Sequence, residues 1–279
     1  GATVIPGLVE VHSHGCAGAD FSDGDFEGLK AMAKQYAAWG VTSFAPASMT
    51  LPYDVLEKAF GTAKRLVEED IEGLSVLRGI QMEGPFFSEK KKGAQNGAYL
   101  KDPDFDAFKK LYDGCGGLVR IVDVAPELPG AAEFIEKAKD LCTVSVAHTD
   151  SDYEHAAMAF QMGASHLTHL YNAMPGIHHR NPGVIPAAAE NENVQAELIC
   201  DGLHIHPSAL RVAKHLFGKN FVAISDSLRC AGMPDGEYEL AGLPVFVKNG
   251  KAHLYDGTIA GSTVTLYECV MNAIKFGID

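Results

Sequence analysis

At 279 residues, 47% of them apolar, the chain can bury the core of one large α/β domain, since barrels of roughly 250 residues are ordinary single domains. Its 23 basic and 36 acidic side chains leave a formal charge of −13, which argues against nucleic acid or an anionic membrane as a partner. No apolar run is long enough to span a bilayer, no signal peptide is recognisable, and the six cysteines (Cys16, Cys115, Cys142, Cys200, Cys230, Cys269) show no CxxC spacing. Free thiols in a reducing cytosol, and hence a cytoplasmic protein, are the expectation.

In chain order, strand-like apolar runs alternate with amphipathic helical runs. Predicted strands lie at 8–14, 41–48, 76–83, 118–125, 143–148, 165–170, 195–204 and 221–226. Predicted helices lie near 25–39, 53–70, 104–113, 131–141, 152–162, 183–191 and 207–217, with a last one from about 263. The helix at 25–39 carries Phe26, Leu29, Ala33, Tyr36 and Trp39 on one stripe and ends at Gly40. Eight strand–helix repeats are the count of a (β/α)₈ TIM barrel. A doubly wound open sheet would be marked by a Gly-rich phosphate fingerprint after its first strand, and none follows Leu8–His14. The segment 235–258 alternates apolar residues around Asn249-Gly250, which predicts a β-hairpin inserted after strand eight. The whole of 1–279 thus reads as one barrel domain.

The stretch 143–174 organises the polar residues. It predicts a strand ending at His148, a helix capped by Asp150–Asp152 and ended by Gly163, and a second strand ending at His169. A single crossover helix makes such strands parallel neighbours, so both imidazoles face one rim. His12 and His14, spaced by two, point to one side of strand one. Glu83, His204 and Asp226 close strands three, seven and eight. All of these are C-terminal strand ends, where barrel enzymes build their active sites. Imidazole and carboxylate are ligands for zinc and similar divalent ions, which predicts a metal centre.

VHSHG, QMEGPF, KKGAQN, AHTD, THLYNAMPG, HHRNPG, DGLH and SDSLRCAG follow one another in that order. Together they resemble the amidohydrolase superfamily and, within it, the N-acetylglucosamine-6-phosphate deacetylase family, from about Pro6 onward. The resemblance implies that Glu83, His148 and His169 hold the main catalytic metal, zinc or Fe²⁺ among others, and that His12 and His14 match members carrying a second one. It implies Asp226 as general base and then acid, and His204 against the acetamido group. Asn172, Ala173 and Arg180 would bind sugar and phosphate, the arginine coming from a neighbouring subunit, which implies a homodimer. Two departures stand out: the family commonly has His where this chain has Gln95, beside the expected sugar pocket, and Glu where it has Asn181. Members also wrap a small β-sandwich, built from both termini, against the barrel. This sequence starts on strand one and stops within the last helix, so it is expected to be the barrel part of a longer protein.

The chemistry can be argued from the residues as well. Amide hydrolysis needs a nucleophile, a polarised carbonyl and a proton for the departing amine. A bound divalent ion lowers the pKa of water from about 15.7 toward ~7. Asp226 can take the proton from that water and deliver it to the nitrogen, His204 can donate to a developing oxyanion, and Arg180 offers a fork suited to phosphate. Other reactions on the same fold, cyclic-amide hydrolysis or nucleobase deamination, would have no use for Arg180. N-acetylgalactosamine 6-phosphate is the alternative substrate within the resemblance. A pure sugar-phosphate binder would have no need of Asp226 as a proton shuttle.

Overall fold

Strand and helix alternate along the computed structural model, which describes residues 4–278. The barrel repeats are β1 (Leu8–Ser13), α1 (Phe26–Ala38), β2 (Val41–Pro46), α2 (Tyr53–Glu69), β3 (Ile80–Met82), α3 (Phe105–Gly114), β4 (Val119–Val124) and α4 (Ala131–Ala138). There follow β5 (Thr143–Val146), α5 (Tyr153–Met162), β6 (His166–Leu167), α6 (Val184–Ala189), β7 (Gln195–Ile199), α7 (Pro207–Phe217) and β8 (Phe221–Ile224). A separate antiparallel sheet, β9 (Gly236–Leu240), β10 (Leu243–Lys248) and β11 (Lys251–His253), comes before α8 (Leu266–Lys275).

β3 to β8 form one parallel sheet in sequential order, and β1 pairs with β2 in another, with Val76–Leu77 at its edge. The two sheets meet at both seams. A parallel bridge between Ala47 and Gln81 joins the end of β2 to β3, and the Asp226 N–H donates to the His12 carbonyl at 3.0 Å between the ends of β8 and β1. The sheet therefore curls back on itself as a TIM-barrel-like α/β domain. No helix among the described residues is long and apolar enough to cross a membrane, and all six cysteines are free.

Local chemistry explains the helix limits. Asp25 caps α1 by accepting from Glu27 N and Gly28 N, Asp152 caps α5 through His155 N, and Thr265 with Glu268 forms a reciprocal capping box on α8. The buried face of α1 is Phe26, Leu29, Met32, Ala33 and Tyr36. The strands stop earlier than their apolar runs predict. The third is split at 78–79, and the sixth keeps only two ladder residues. The seventh ends at Ile199, not at His204, because the Asp201 carboxylate accepts from Leu203 N (2.8 Å) and His204 N (2.9 Å) and folds the chain into a turn. Around Asn249-Gly250 the chain forms three antiparallel strands where two were predicted. Both turn residues have φ > 0 (53° and 67°), as a two-residue hairpin turn requires, and a second turn at Ala241-Gly242 adds β9.

The large apolar core lies between the curled sheet and its helices. Inside the sheet, by contrast, buried polar side chains meet one another. Gln81 Nε2 and the Thr168 hydroxyl both donate to Asp123, and Ser145 and Thr168 share a 2.7 Å hydrogen bond. A dry interior keeps such groups only when they are mutually hydrogen-bonded. Between α3 and α4, Phe134 packs at 5.0 Å from Phe86 and 5.4 Å from Phe108, ring centre to centre. Phe134→Ala is expected to destabilise the fold by about 3–5 kcal/mol, measured by urea unfolding.

Candidate active site

The strand ends deliver their polar side chains to one point. His148, His169 and Asp226 sit just past the last paired residues of β5, β6 and β8, with φ of 44°, 28° and 49°. Non-glycine residues in this left-handed region cost of order 1–3 kcal/mol each and persist where surrounding structure holds them. Tyr171 (77°) and Ala173 (53°) extend the same strained backbone beyond His169. Gly84, which follows Glu83, has φ 90°, and a Cβ there would meet the Thr50 hydroxyl oxygen at 2.1 Å. Only glycine lets the chain turn away at that point.

Glu83 lies at the centre of the cluster. Its Oε1 is 3.1 Å from His169 Nε2, 3.2 Å from His148 Nε2 and 3.6 Å from His12 Nε2, and its Oε2 is 3.3 Å from His14 Nε2. Asp226 Oδ1 stands 3.3 Å from His14 Nε2 and 3.6 Å from His12 Nε2. All six side chains are buried. Burial pushes the Glu83 carboxyl up, but hydrogen bonds from His148 and His169 and the charges of His14 and His12 more than offset it, holding it well below the usual carboxylate range. Burial likewise raises Asp226, and His14, with His12, brings it below its ordinary value. His148 goes the other way: burial dominates and lowers its pKa in spite of Glu83.

The donors fit a divalent ion. Two groups, His12–His14–Glu83 and Glu83–His148–His169, each bring three ligand atoms within 4.8 Å of one another. Ligand atoms about 2.0–2.2 Å from a tetrahedral ion lie roughly 3.3–3.6 Å apart, close to the spacings observed. The outer ring nitrogens carry the orienting bonds: His148 Nδ1 donates to the Lys91 carbonyl (2.9 Å), His14 Nδ1 to the Ala47 carbonyl (3.2 Å), and His12 Nδ1 to Glu197 Oε2 (2.8 Å). Each bond fixes the proton on Nδ1, so that in the neutral ring Nε2 carries the lone pair a metal would take. His12 Nε2 is buried without a hydrogen-bond partner, as expected of a nitrogen that awaits a cation.

A cavity of about 190 Å³ opens onto this cluster, lined among others by Gln95, His148, His169, Asn172, Ala173, His204 and Asp226. Met49, Leu228 and, from the antiparallel sheet and the loop after it, Leu240 and Ile259 make its apolar wall. His204 reaches the cavity from its turn, with Nδ1 donating to Asp201 Oδ2 at 2.7 Å. Gln95 is clamped: its Oε1 accepts from Thr50 N (2.8 Å) and its Nε2 donates to Glu83 Oε2 (2.7 Å). Asn172 Nδ2 donates weakly to the carbonyls of His169 and Leu170, both at 3.3 Å. Arg180 is exposed on the loop after β6 and lies outside the cavity lining, its guanidinium against His179.

Two positioning carboxylates were not singled out from sequence. Asp201 was visible only as part of DGLH. Glu197, fully buried on β7, accepts from both His12 and His166. A lone glutamate inside the apolar run QAELIC was the signal that could have found it.

Imidazole and carboxylate donors gathered at the C-terminal ends of a curled parallel sheet define a metal-centred barrel enzyme. The Amidohydrolase family pattern matches residues 3–274. The chain belongs to the amidohydrolase family. It is 39% identical over 280 residues to N-acetylglucosamine-6-phosphate deacetylase of Bacillus subtilis (strain 168), covering 99% of this chain and 70% of that protein. It is 32% identical to N-acetylgalactosamine-6-phosphate deacetylase of Escherichia coli O157:H7, covering 98% and 72%. Among solved structures, a mutant of N-acetyl-D-glucosamine-6-phosphate deacetylase from Mycobacterium smegmatis, in complex with N-acetyl-D-glucosamine-6-phosphate, superposes with a TM-score of 0.94 at 31% identity, covering 99% of this chain and 72% of that one.

Glu83 belongs to both donor groups, so Glu83→Gln is expected to lose most of the tightly held divalent metal. Elemental analysis after dialysis checks this, and wild-type metal content in the variant would contradict the assignment.

Proposed function

We propose that this enzyme hydrolyses the acetamide of N-acetylglucosamine 6-phosphate to acetate and glucosamine 6-phosphate, in the breakdown of amino sugars in the cytoplasm. The observation that carries the reading is one cavity that holds the donor set, Asp226, His204 and Asn172 together, in a chain whose relatives are named for that reaction.

Glu83, His148 and His169 would hold the main ion, and His12 and His14 with Glu83 a second; zinc suits these donors best, with Fe²⁺ the alternative. When bound, the ion supplies Lewis acidity and a water acidified to near neutral pH. Asp226, at the edge of the donor cluster, takes a proton from the attacking water. As the C–N bond breaks it returns that proton to the leaving nitrogen, so the amine leaves neutral and the water oxygen ends in the carboxyl group of acetic acid, which ionises to acetate by giving its remaining proton to solvent. His204, fixed by Asp201, donates from Nε2 to the oxyanion that develops at the carbonyl. Asn172 and the Ala173 backbone orient the sugar, with Gln95 at the same wall. The inserted sheet after β8 covers that wall and keeps the acetyl group out of bulk water.

The phosphate is assigned to Arg180 of a second copy in a homodimer. What supports the trans arrangement is that Arg180 is exposed and absent from its own cavity lining. Arg180→Ala is expected to raise KM for the phosphorylated sugar roughly tenfold or more, the loss of a charge-assisted contact, and to leave turnover of the unphosphorylated sugar unchanged. Equal losses on both substrates would make Arg180 structural.

Acetate release from N-acetylglucosamine 6-phosphate, compared with its galacto isomer under the same conditions, tests the reaction and the substrate together. No release from either would overturn the proposal. Asp226→Asn keeps the size of the side chain and removes its basicity. It is expected to retain metal while kcat and kcat/KM fall together by a factor of order 10² or more. Metal loss in that variant would instead make Asp226 chiefly a ligand.

A further inference from the structure

One buried carboxylate outside both donor groups touches the site more closely than any other. Glu197 sits on β7 with no solvent exposure. Its Oε2 accepts from His12 Nδ1 at 2.8 Å and from the His169 N–H at 3.3 Å, and its Oε1 accepts from His166 Nε2 at 3.0 Å. One side chain thus ties β1 and the residues of β6 to β7, directly beneath the cluster.

From this geometry we infer that Glu197 is the positioning residue that makes His12 a metal ligand, and so decides whether the second ion is held. The inference rests on the metal-centre reading above. A carboxylate only accepts, so the bond to Glu197 requires the His12 proton on Nδ1. In the neutral ring, the form that binds a metal, Nε2 then carries the lone pair and faces the cluster. It lies 3.6 Å from Glu83 Oε1 and from Asp226 Oδ1, too far for a hydrogen bond to either, and it is buried with no partner. Two carboxylate oxygens facing a nitrogen across that gap form a place for a cation. His166 saturates the other oxygen, so the carboxylate cannot rotate away from His12 without giving up a buried bond. Outer partners of this kind typically change metal affinity by roughly 10–100-fold when removed.

Glutamine at 197 weakens the bond that fixes His12 Nδ1 from charge-assisted to neutral when its amide oxygen faces the ring, and in the other orientation presents an amide N–H to His12 Nδ1. The second orientation reverses the tautomer, placing the proton on Nε2, where it blocks coordination. The experiment titrates Zn²⁺ by calorimetry into chelator-dialysed wild type, Glu197→Gln, His12→Asn and the double variant, and repeats it with Co²⁺ to read the visible spectrum of each equivalent. The expected result is that the weaker Zn²⁺ equivalent of wild type loses about 10–100-fold in affinity in Glu197→Gln, while the tighter one is kept. The double variant should bind no more weakly than His12→Asn alone, because the two changes act through one ring; a merely structural role for Glu197 would add to the loss. The Co²⁺ spectrum should lose the same band in both single variants. If Glu197→Gln does not fold, Glu197→Asp, which withdraws the carboxylate from His12, is read in its place with the same expectation. Unchanged affinity in the glutamate variants alongside a loss in His12→Asn would overturn the role of Glu197 and leave the metal reading standing. No loss in His12→Asn would overturn the second site itself, and this inference with it.

Discussion

A single buried carboxylate with four imidazole nitrogens within 3.6 Å of it sets the terms for the rest of this structure. Ionised groups leave water at a cost of several kcal/mol each unless they are paired or bind a metal. Glu83 satisfies that condition only because β1, β5 and β6 bring their histidines to the same height on one rim. A curled parallel sheet is what makes this geometry available. Its strand ends converge, whereas those of a flat sheet of the same length would lie side by side in a row.

The convergence has a local cost that the backbone carries. The chain leaves the ladder at His148, His169 and Asp226 through left-handed conformations, and Tyr171 and Ala173 continue them. Regular pairing of the strands before them, and for His148 the bond from Nδ1 to the Lys91 carbonyl, hold these residues in place. The interior beneath them is correspondingly unusual. Branched apolar side chains dominate most barrel interiors. Here Gln81, Asp123, Ser145 and Thr168 hydrogen-bond to one another, and Glu197 bonds to His12, His166 and the His169 N–H, so the floor of the site is polar. Burial, reinforced by the charges of Glu83 and Glu197, pushes the Asp123 carboxyl well above its ordinary range.

The wall of the cavity is built differently from its floor. Leu240, Thr258 and Ile259 reach it from the antiparallel sheet and the loop that follows, and that sheet has its own small apolar cluster with Met49, Leu228 and Cys230. The donor groups thus come from the strand ends, and part of the cavity's apolar wall from the antiparallel sheet and the loop after it. Gln95 joins the two, touching Glu83 on one side and the cavity on the other. Gln95 is therefore mechanically coupled to the donor cluster.

Much of this was legible in the sequence because it depends on local pattern. Alternating apolar runs of strand and helix length fixed the barrel repeats, Gly40, Asp152 and Gly163 marked helix ends, and His12, Glu83, His148, His169 and Asp226 could be placed at strand ends by counting. Asn249-Gly250 announced its turn by composition alone. What the sequence could not set was everything that depends on residues distant along the chain. Strand seven stops at Ile199 because Asp201 competes for backbone donors, an outcome of side-chain geometry that an apolar run does not reveal. Glu197 reads as one glutamate in a buried strand until β1 and β6 are folded against β7, 185 residues and 31 residues away from it at His12 and His166. The sequence determined which chemical groups stand at the rim; only the closed sheet decided which nitrogen of His12, His14 and His148 faces the carboxylate, because that is set by the partner on the far side of the ring.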